Sequence, residues 1–263
     1  MITVPEFAKR KVAQAKISMI TCYDTSFARI VNESPIDVVL IGDSSIMVMH
    51  GYDSTIHSTV DQIATHVAAV AKGADQKFIV ADMPFLSTRL ERATGVAAAG
   101  QLLRAGAHAV KIEGIDGNED LVKHLVESGI PVMGHLGLTP QFVNAFGGMK
   151  VQATSAEAQD KLVRDAKKFE EAGAFSLVLE CVPSKIAATT TQLLKIPTIG
   201  IGAGVDCDGQ VLVLQDLLGF NPGFKPKFLR QYLNGHELFS SAFKKFHDDV
   251  THGTFPNEKE SYS

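Results

Sequence analysis

Eight short apolar runs, rich in β-branched residues, punctuate this sequence, and each gives way to polar or glycine residues and then to a helical pattern. The runs are ISMITCYD (17–24), VVLIGDS (38–44), FIVADMP (78–84), AVKIEG (109–114), PVMGHLG (131–137), SLVLECVP (176–183), PTIGIGAG (197–204) and QVLVLQD (210–216). Their hydrophobicity is continuous rather than alternating, which marks strands buried on both faces of a parallel sheet. Eight strand–helix repeats in 263 residues predict an α/β fold, a closed (β/α)8 barrel of the usual size of about 250 residues. A doubly wound open sheet is the competing layout, and the strand count favours closure. The last run is the weakest strand, because QVLVLQDLLG also reads as helix.

The intervening segments carry helix start and stop signals. Thr59 and Gln62 are spaced for a capping box, Val60, Ile63, Val67 and Val70 line one face, and Gly73 supplies the stop. Leu121, Val122, Leu125 and Val126 repeat the pattern before Gly129, and Thr154 with Glu157 opens a further helix toward Gly173. Residues 225–252 read as C-terminal helices, followed by the polar tail FPNEKESYS. No compositional break divides the chain, so residues 1–263 are expected to form a single barrel domain with C-terminal helices. One connection, 136–153, is long and contains Gly147–Gly148; such a segment is either a lid or an ordinary packed loop.

Composition narrows the function. A net charge of −4 with 21% charged residues argues against nucleic acid as a partner, since phosphate binding needs concentrated Lys and Arg. No apolar run approaches the ~20 residues of a membrane span, and MITVPEFAKRKVAQAKIS lacks the apolar stretch and cleavage site of a signal peptide. Cys22, Cys181 and Cys207 are odd in number and far apart, which excludes a disulfide framework. A cytoplasmic location is expected.

In a parallel barrel the active site forms at the C-terminal ends of the strands. There the runs end in Asp43–Ser44, Asp82, Lys111 with Glu113, His135 and Glu180, and then the glycines of GIGAG. Any one of these is readily a helix cap or a rim salt bridge. Five consecutive strands ending this way point to a site, because charge inside a strand end is costly unless paired or metal-bound. Asp43, Asp82 and Glu113 would repel one another unless a hard divalent cation such as Mg2+ or Mn2+ joined them. Lys111 and Glu113 are two apart and share a face; Lys111 then meets a substrate carboxylate or an internal acid. Glu180 in apolar surroundings is placed to act as a base. His135 is either a substrate contact or a structural histidine, and Cys181 is expected to be a structural thiol. Gly200, Gly202 and Gly204 do not form a dinucleotide fingerprint; they read as a tight turn that lets backbone approach a ligand or neighbour.

At these residues the sequence resembles the ketopantoate hydroxymethyltransferase family. The resemblance is carried by TCYDTSFA, LIGDS, GYDST, ADMPF, RAGAHAVKIEG, IPVMGHLGLTPQ, FGGMKVQ, EEAGAFSLVLECVP, IPTIGIGAG, DGQVLV and PKFLRQY. It implies a TIM barrel of the phosphoenolpyruvate/pyruvate type and a transferase acting in pantothenate biosynthesis. The implied reaction moves a hydroxymethyl group from 5,10-methylenetetrahydrofolate to 3-methyl-2-oxobutanoate, giving 2-dehydropantoate through a magnesium-stabilised enolate. It implies that Asp43, Asp82 and Glu113 form the magnesium site, directly or through water. Ser44 and Lys111, with Asp43, Asp82 and His135 nearby, would hold the oxo acid, and Glu180 would accept the proton. A homo-oligomer, often a decamer, is also implied.

Some positions depart from the family pattern. Ser45–Ile46 stands where the family has Leu-Gly, Ile56-His57-Ser58-Thr59 where it has Leu-Pro-Val-Thr, Met149 for Tyr and Ala153 for Gly. If the replaced glycine at 46 required positive φ, Ile46 would be strained. A related lyase or mutase of the same barrel type is the alternative enzyme. It would be expected to carry a catalytic Cys in a mobile loop, and no Cys lies between Cys22 and Cys181. A catalytically silent metabolite-binding barrel is the alternative from another class; intact Asp43, Asp82, Glu113 and Glu180 argue against it.

Overall fold

The structure, a computed structural model, describes residues 1–262. Its strands are β1 (Ile17–Thr21), β2 (Val38–Ile41), β3 (Phe78–Asp82), β4 (Ala109–Glu113), β5 (Val132–Gly137), β6 (Ser176–Glu180), β7 (Thr198–Ile201) and β8 (Gly209–Leu212). Each is parallel to its neighbours, and β8 pairs back onto β1 to close the barrel. The open-sheet alternative is thereby excluded. The ambiguous last run is both things in turn: strand to Leu212, then a short helix Leu214–Leu217.

The chain divides into two compact units, Met1–Leu212 and Val213–Ser263, where the sequence reading has one domain with appended helices. The first unit contains the whole barrel. The second has one long helix, Gly235–Thr251, so the expected helical stretch of 225–252 begins about ten residues late. Pro226, Asn234 and the 310 turn Glu258–Glu260 bracket that helix. Among the described residues, no helix is long and apolar enough to cross a membrane.

Local signals act as read. The Thr59–Gln62 capping box opens the helix Val60–Ala71, whose Ile63, Val67 and Val70 are buried. Asp24 of the TCYD segment caps the helix Thr25–Glu33, accepting from the backbone N–H groups of Ser26 and Phe27. The helix Ala156–Glu171 is capped by Ser155, one residue later than expected. Gly204, at φ +89°, lies so near Ser184 that an added Cβ would stand 2.6 Å from the serine Cβ. The GIGAG turn therefore serves a close approach to a neighbouring helix.

One element has no counterpart in the sequence reading. The helix Val4–Val12 sends Phe7, fully buried, under the N-terminal end of the barrel. Its ring meets Phe175 at 4.9 Å and Phe78 at 5.5 Å between centroids, edge-on in both cases. Around them Ile17, Met19, Val38, Leu40, Val80, Met133, Val178 and Ile199 fill the interior. The lower barrel is thus dry and apolar, and side chains pointing inward from the upper strand ends have no water beneath them. Phe7→Ala should lower unfolding free energy by about 3–5 kcal/mol, read from denaturant titration with unchanged slope; a loss below about 1 kcal/mol would show that Phe7 plugs nothing.

Candidate active site

Period-two alternation decides which residues face inward. On β4 the inward positions are Ala109, Lys111 and Glu113, and on β3 they are Phe78, Val80 and Asp82, so apolar residues lie low and charges high. The stagger of the barrel then sets the neighbours. Asp82 pairs in register with Lys111, and Glu113 with His135, while Glu180 lies opposite Gly137 at the next step round. This register sets Lys111 and His135 among the acids of the upper rim.

The contacts follow. Lys111 Nζ is 3.1 Å from Asp82 Oδ1, with both side chains 5% exposed or less. The internal salt bridge that stood as an alternative for Lys111 is therefore present. Asp82 Oδ2 accepts the Asp43 backbone N–H at 3.0 Å, so Asp82 is held through one oxygen by Lys111 and through the other by the backbone at the end of β2. His135 stands between two acids: Nδ1 is 3.4 Å from Glu113 Oε1, and Nε2 is 3.3 Å from Glu180 Oε2. Nδ1 also lies 3.1 Å from Lys111 Nζ. When the ring is neutral with its proton on Nε2, Nδ1 can accept from Lys111; when it is charged, Nδ1–H turns to Glu113.

Desolvation raises Asp43 well above the usual carboxylate range, and repulsion from Asp82 and Glu113 adds to it. Burial also raises Asp82, in spite of Lys111. Glu113 is the exception: burial pushes it up, but the hydrogen bond to His135 and nearby positive charge bring it below its ordinary value. Burial and Lys111 work against a charged His135, yet Glu113 and Glu180 outweigh them and raise it. Lys111 is raised too, since three acids overcome its desolvation.

One sequence reading needs correction, that of Glu180. Asp43, Asp82 and Glu113 do come together at the strand ends, near enough for each to act on the charge of the others. Among the described residues no group of three or more His, Cys, Asp or Glu side chains already surrounds a common point. Glu113 is drawn aside, because its two oxygens face His135 and the backbone N–H of Gln141. Glu180 was expected in apolar surroundings, but it is partly exposed beside His135. Its placement has a local cause: Cys181 adopts φ +46°, and Glu180 carbonyl accepts from Leu138 N–H across Gly137. A Cβ at Gly137 would come within 2.2 Å of that carbonyl, so only glycine fits. Burial lifts the Cys181 thiol to about 11, so it is protonated near neutral pH and not a nucleophile.

Two further residues, Tyr23 and Gln141, reach the site. The buried Tyr23 puts its hydroxyl 2.8 Å from Ser44 Oγ, close above Gly42, where an added Cβ would crowd Ser44 Oγ at 2.8 Å. Gln141 reaches Asp43 from the 136–153 connection. The signal for Tyr23 was its place just past a strand end; Gln141 carried no comparable signal. Of the departures from the family pattern, the one at Ile46 demands no strain, whereas Ala153 takes left-handed backbone that favours glycine. Ile46 is buried in the short helical turn Ser45–Val48 without positive φ, Met149 is exposed, and Ala153 occupies a left-handed φ of +53°.

The sequence profile of a family described as ketopantoate hydroxymethyltransferase matches residues 1–258. A 3-methyl-2-oxobutanoate hydroxymethyltransferase of Bdellovibrio bacteriovorus is 56% identical over 263 residues, covering 100% of both chains. One from Coxiella burnetii is 49% identical over 257 residues, covering 97% of each. Among solved structures, a phosphonopyruvate hydrolase in complex with oxalate and Mg2+ superposes with a TM-score of 0.63 at 12% identity, over 99% of this chain and 93% of that one. A 2,3-dimethylmalate lyase of the PEP mutase/isocitrate lyase superfamily gives 0.61 at 13% identity, over 100% and 93%. At these identities the structural likeness concerns the fold.

Lys111 tests the electrostatic account. Lys111→Met removes the cation that Asp43, Asp82 and Glu113 share, so the metal-free variant should lose about 3–5 kcal/mol near pH 7.5. Its acids then hold protons more firmly folded than unfolded, so its stability must rise as pH falls and the deficit narrow toward pH 5. Denaturation with chelator present at both pH values checks this; a deficit that widens on acidification contradicts it.

Proposed function

The chain belongs to the ketopantoate hydroxymethyltransferase family, and we propose that it transfers a hydroxymethyl group from 5,10-methylenetetrahydrofolate to 3-methyl-2-oxobutanoate, giving 2-dehydropantoate in pantothenate biosynthesis. The observation that carries this reading is the buried cluster of Asp43, Asp82 and Glu113 at neighbouring strand ends, with Lys111 as the cation among them. With His135 protonated, the four acids Asp43, Asp82, Glu113 and Glu180 face only two cations, Lys111 and His135. A divalent ion matches that deficit. An all-oxygen donor set suits Mg2+, which often takes one or two carboxylates and completes its shell with water and substrate oxygens. Asp43 and Asp82 would hold it directly, and Glu113, drawn toward His135, through water. When bound, the ion polarises a keto oxygen and stabilises enolate charge.

The chain's own residues supply the rest. Ser44, held by Tyr23, and Lys111 donate toward the oxo acid carboxylate. Lys111 remains charged throughout because three acids surround it. Glu180 accepts the C3 proton; His135 beside it fixes its orientation and offsets its charge before the transfer. The dry wall below the rim keeps water from quenching the carbanionic carbon. Homo-oligomerisation is part of the same proposal. It is supported by Phe239, Phe243, Phe246 and Val250, which leave an exposed apolar stripe along the helix Gly235–Thr251.

Exchange of the C3 proton of 3-methyl-2-oxobutanoate into deuterium oxide, without folate, isolates enolisation. Glu180→Gln should cut that exchange by a factor of at least about 100 while metal uptake persists; unaltered exchange would remove Glu180 as the base. Chelation should abolish exchange in the unmodified protein and Mg2+ should restore it. Full exchange in chelator rejects the cation.

A further inference from the structure

Gln141 lies in the 310 turn Pro140–Phe142, at the start of the connection from β5 to the helix Ala156–Glu171. Its side-chain amide donates to Asp43 Oδ2 at 2.8 Å and to the Met83 carbonyl at 2.9 Å. Its backbone N–H donates to Glu113 Oε2 at 3.0 Å. One residue thus ties the connection to the residues at or just past the ends of β2, β3 and β4. Both amide protons are used, and the acceptors are a strand-end carbonyl and one carboxylate oxygen. Asp43 Oδ2 is therefore held by a donor from the connection. Asp43 is repelled by two acidic neighbours, so without a fixed donor its carboxylate gains by turning away from Asp82.

We propose that Gln141 is a positioning residue for the cation: it holds Asp43 in the orientation a divalent ion requires and couples docking of the 138–155 connection to occupation of the site. This rests on the reading that Asp43 and Asp82 bind the ion. A hydrogen-bond partner behind a ligating carboxylate is typically worth about 10- to 100-fold in metal affinity. Because coupling is reciprocal, bound metal must in turn favour the docked connection.

Gln141→Met keeps the chain length and the backbone N–H to Glu113 but removes both amide donors. Mn2+ binding to the intact protein, followed by the resonance signal of the free ion, and Mg2+ binding by calorimetry should both weaken by about 10- to 100-fold. At saturating Mg2+ the turnover number should return close to that of the unmodified protein, with only the metal requirement shifted; a merely structural role would depress turnover at any metal concentration. Hydrogen exchange in residues 138–155 should slow on adding metal to the unmodified protein and not in the variant. Gln141→Asn, which keeps the amide but shortens its reach, should change in the same direction and guards against misfolding of one variant. Equal affinities in all three proteins overturn the inference. Absence of metal uptake by the unmodified protein, or undiminished uptake by Asp43→Asn, overturns instead the reading on which it rests.

Discussion

The upper end of this barrel is governed by mutual neutralisation of buried charge. Acids from the ends of β2, β3, β4 and β6 stand over a dry apolar interior, and isolated ionised groups there would cost far more than folding yields. They are tolerated because the register interleaves Lys111 and His135 among them. The arrangement is incomplete: the acids outnumber the cations among them, and burial with repulsion from Asp82 and Glu113 raises Asp43 well above the usual carboxylate range. Residual frustration of this kind marks functional sites, where a ligand supplies the missing partner.

The lower end makes this possible. Phe7, Phe78 and Phe175 close the bottom of the barrel with edge-on ring contacts, so a buried apolar cluster lies beneath the charges. Low polarity strengthens each contact at the rim and makes each sensitive to its geometry. Small backbone irregularities therefore matter. Cys181 in a left-handed conformation, which costs a non-glycine residue about 1–2 kcal/mol, turns the chain where Glu180 must face His135. Ala153 carries a similar φ at the far end of the connection that Gln141 anchors.

The departures from the family pattern lie outside this charged ring. Ile46, the most conspicuous, is accommodated by a helical turn with its side chain fully buried, so no glycine-only conformation is demanded there. Ser45 is likewise buried within that turn. The loop takes a path that β-branched residues tolerate, and Asp43 and Ser44 keep their places before it.

Periodicity and end signals were enough to read eight buried strands, to place Asp82, Lys111, Glu113, His135 and Glu180 at strand ends, and to put Lys111 and Glu113 on one face. Those properties follow from local rules: a period of two on each strand, and capping groups within three residues of a helix start. Three things needed the folded chain. The N-terminal helix is held by Phe7 rather than by any strong periodic pattern, so its role appears only where three distant phenylalanines meet. The drawing aside of Glu113 depends on how far each strand is staggered against the next, and a single sequence contains no measure of stagger. Gln141 reaches Asp43 across 98 positions, and a long connection has no periodicity from which to infer where one amide points. Which residues line the barrel is a local matter; which of them touch is settled by closure, because only a closed sheet fixes every strand's height relative to all the others.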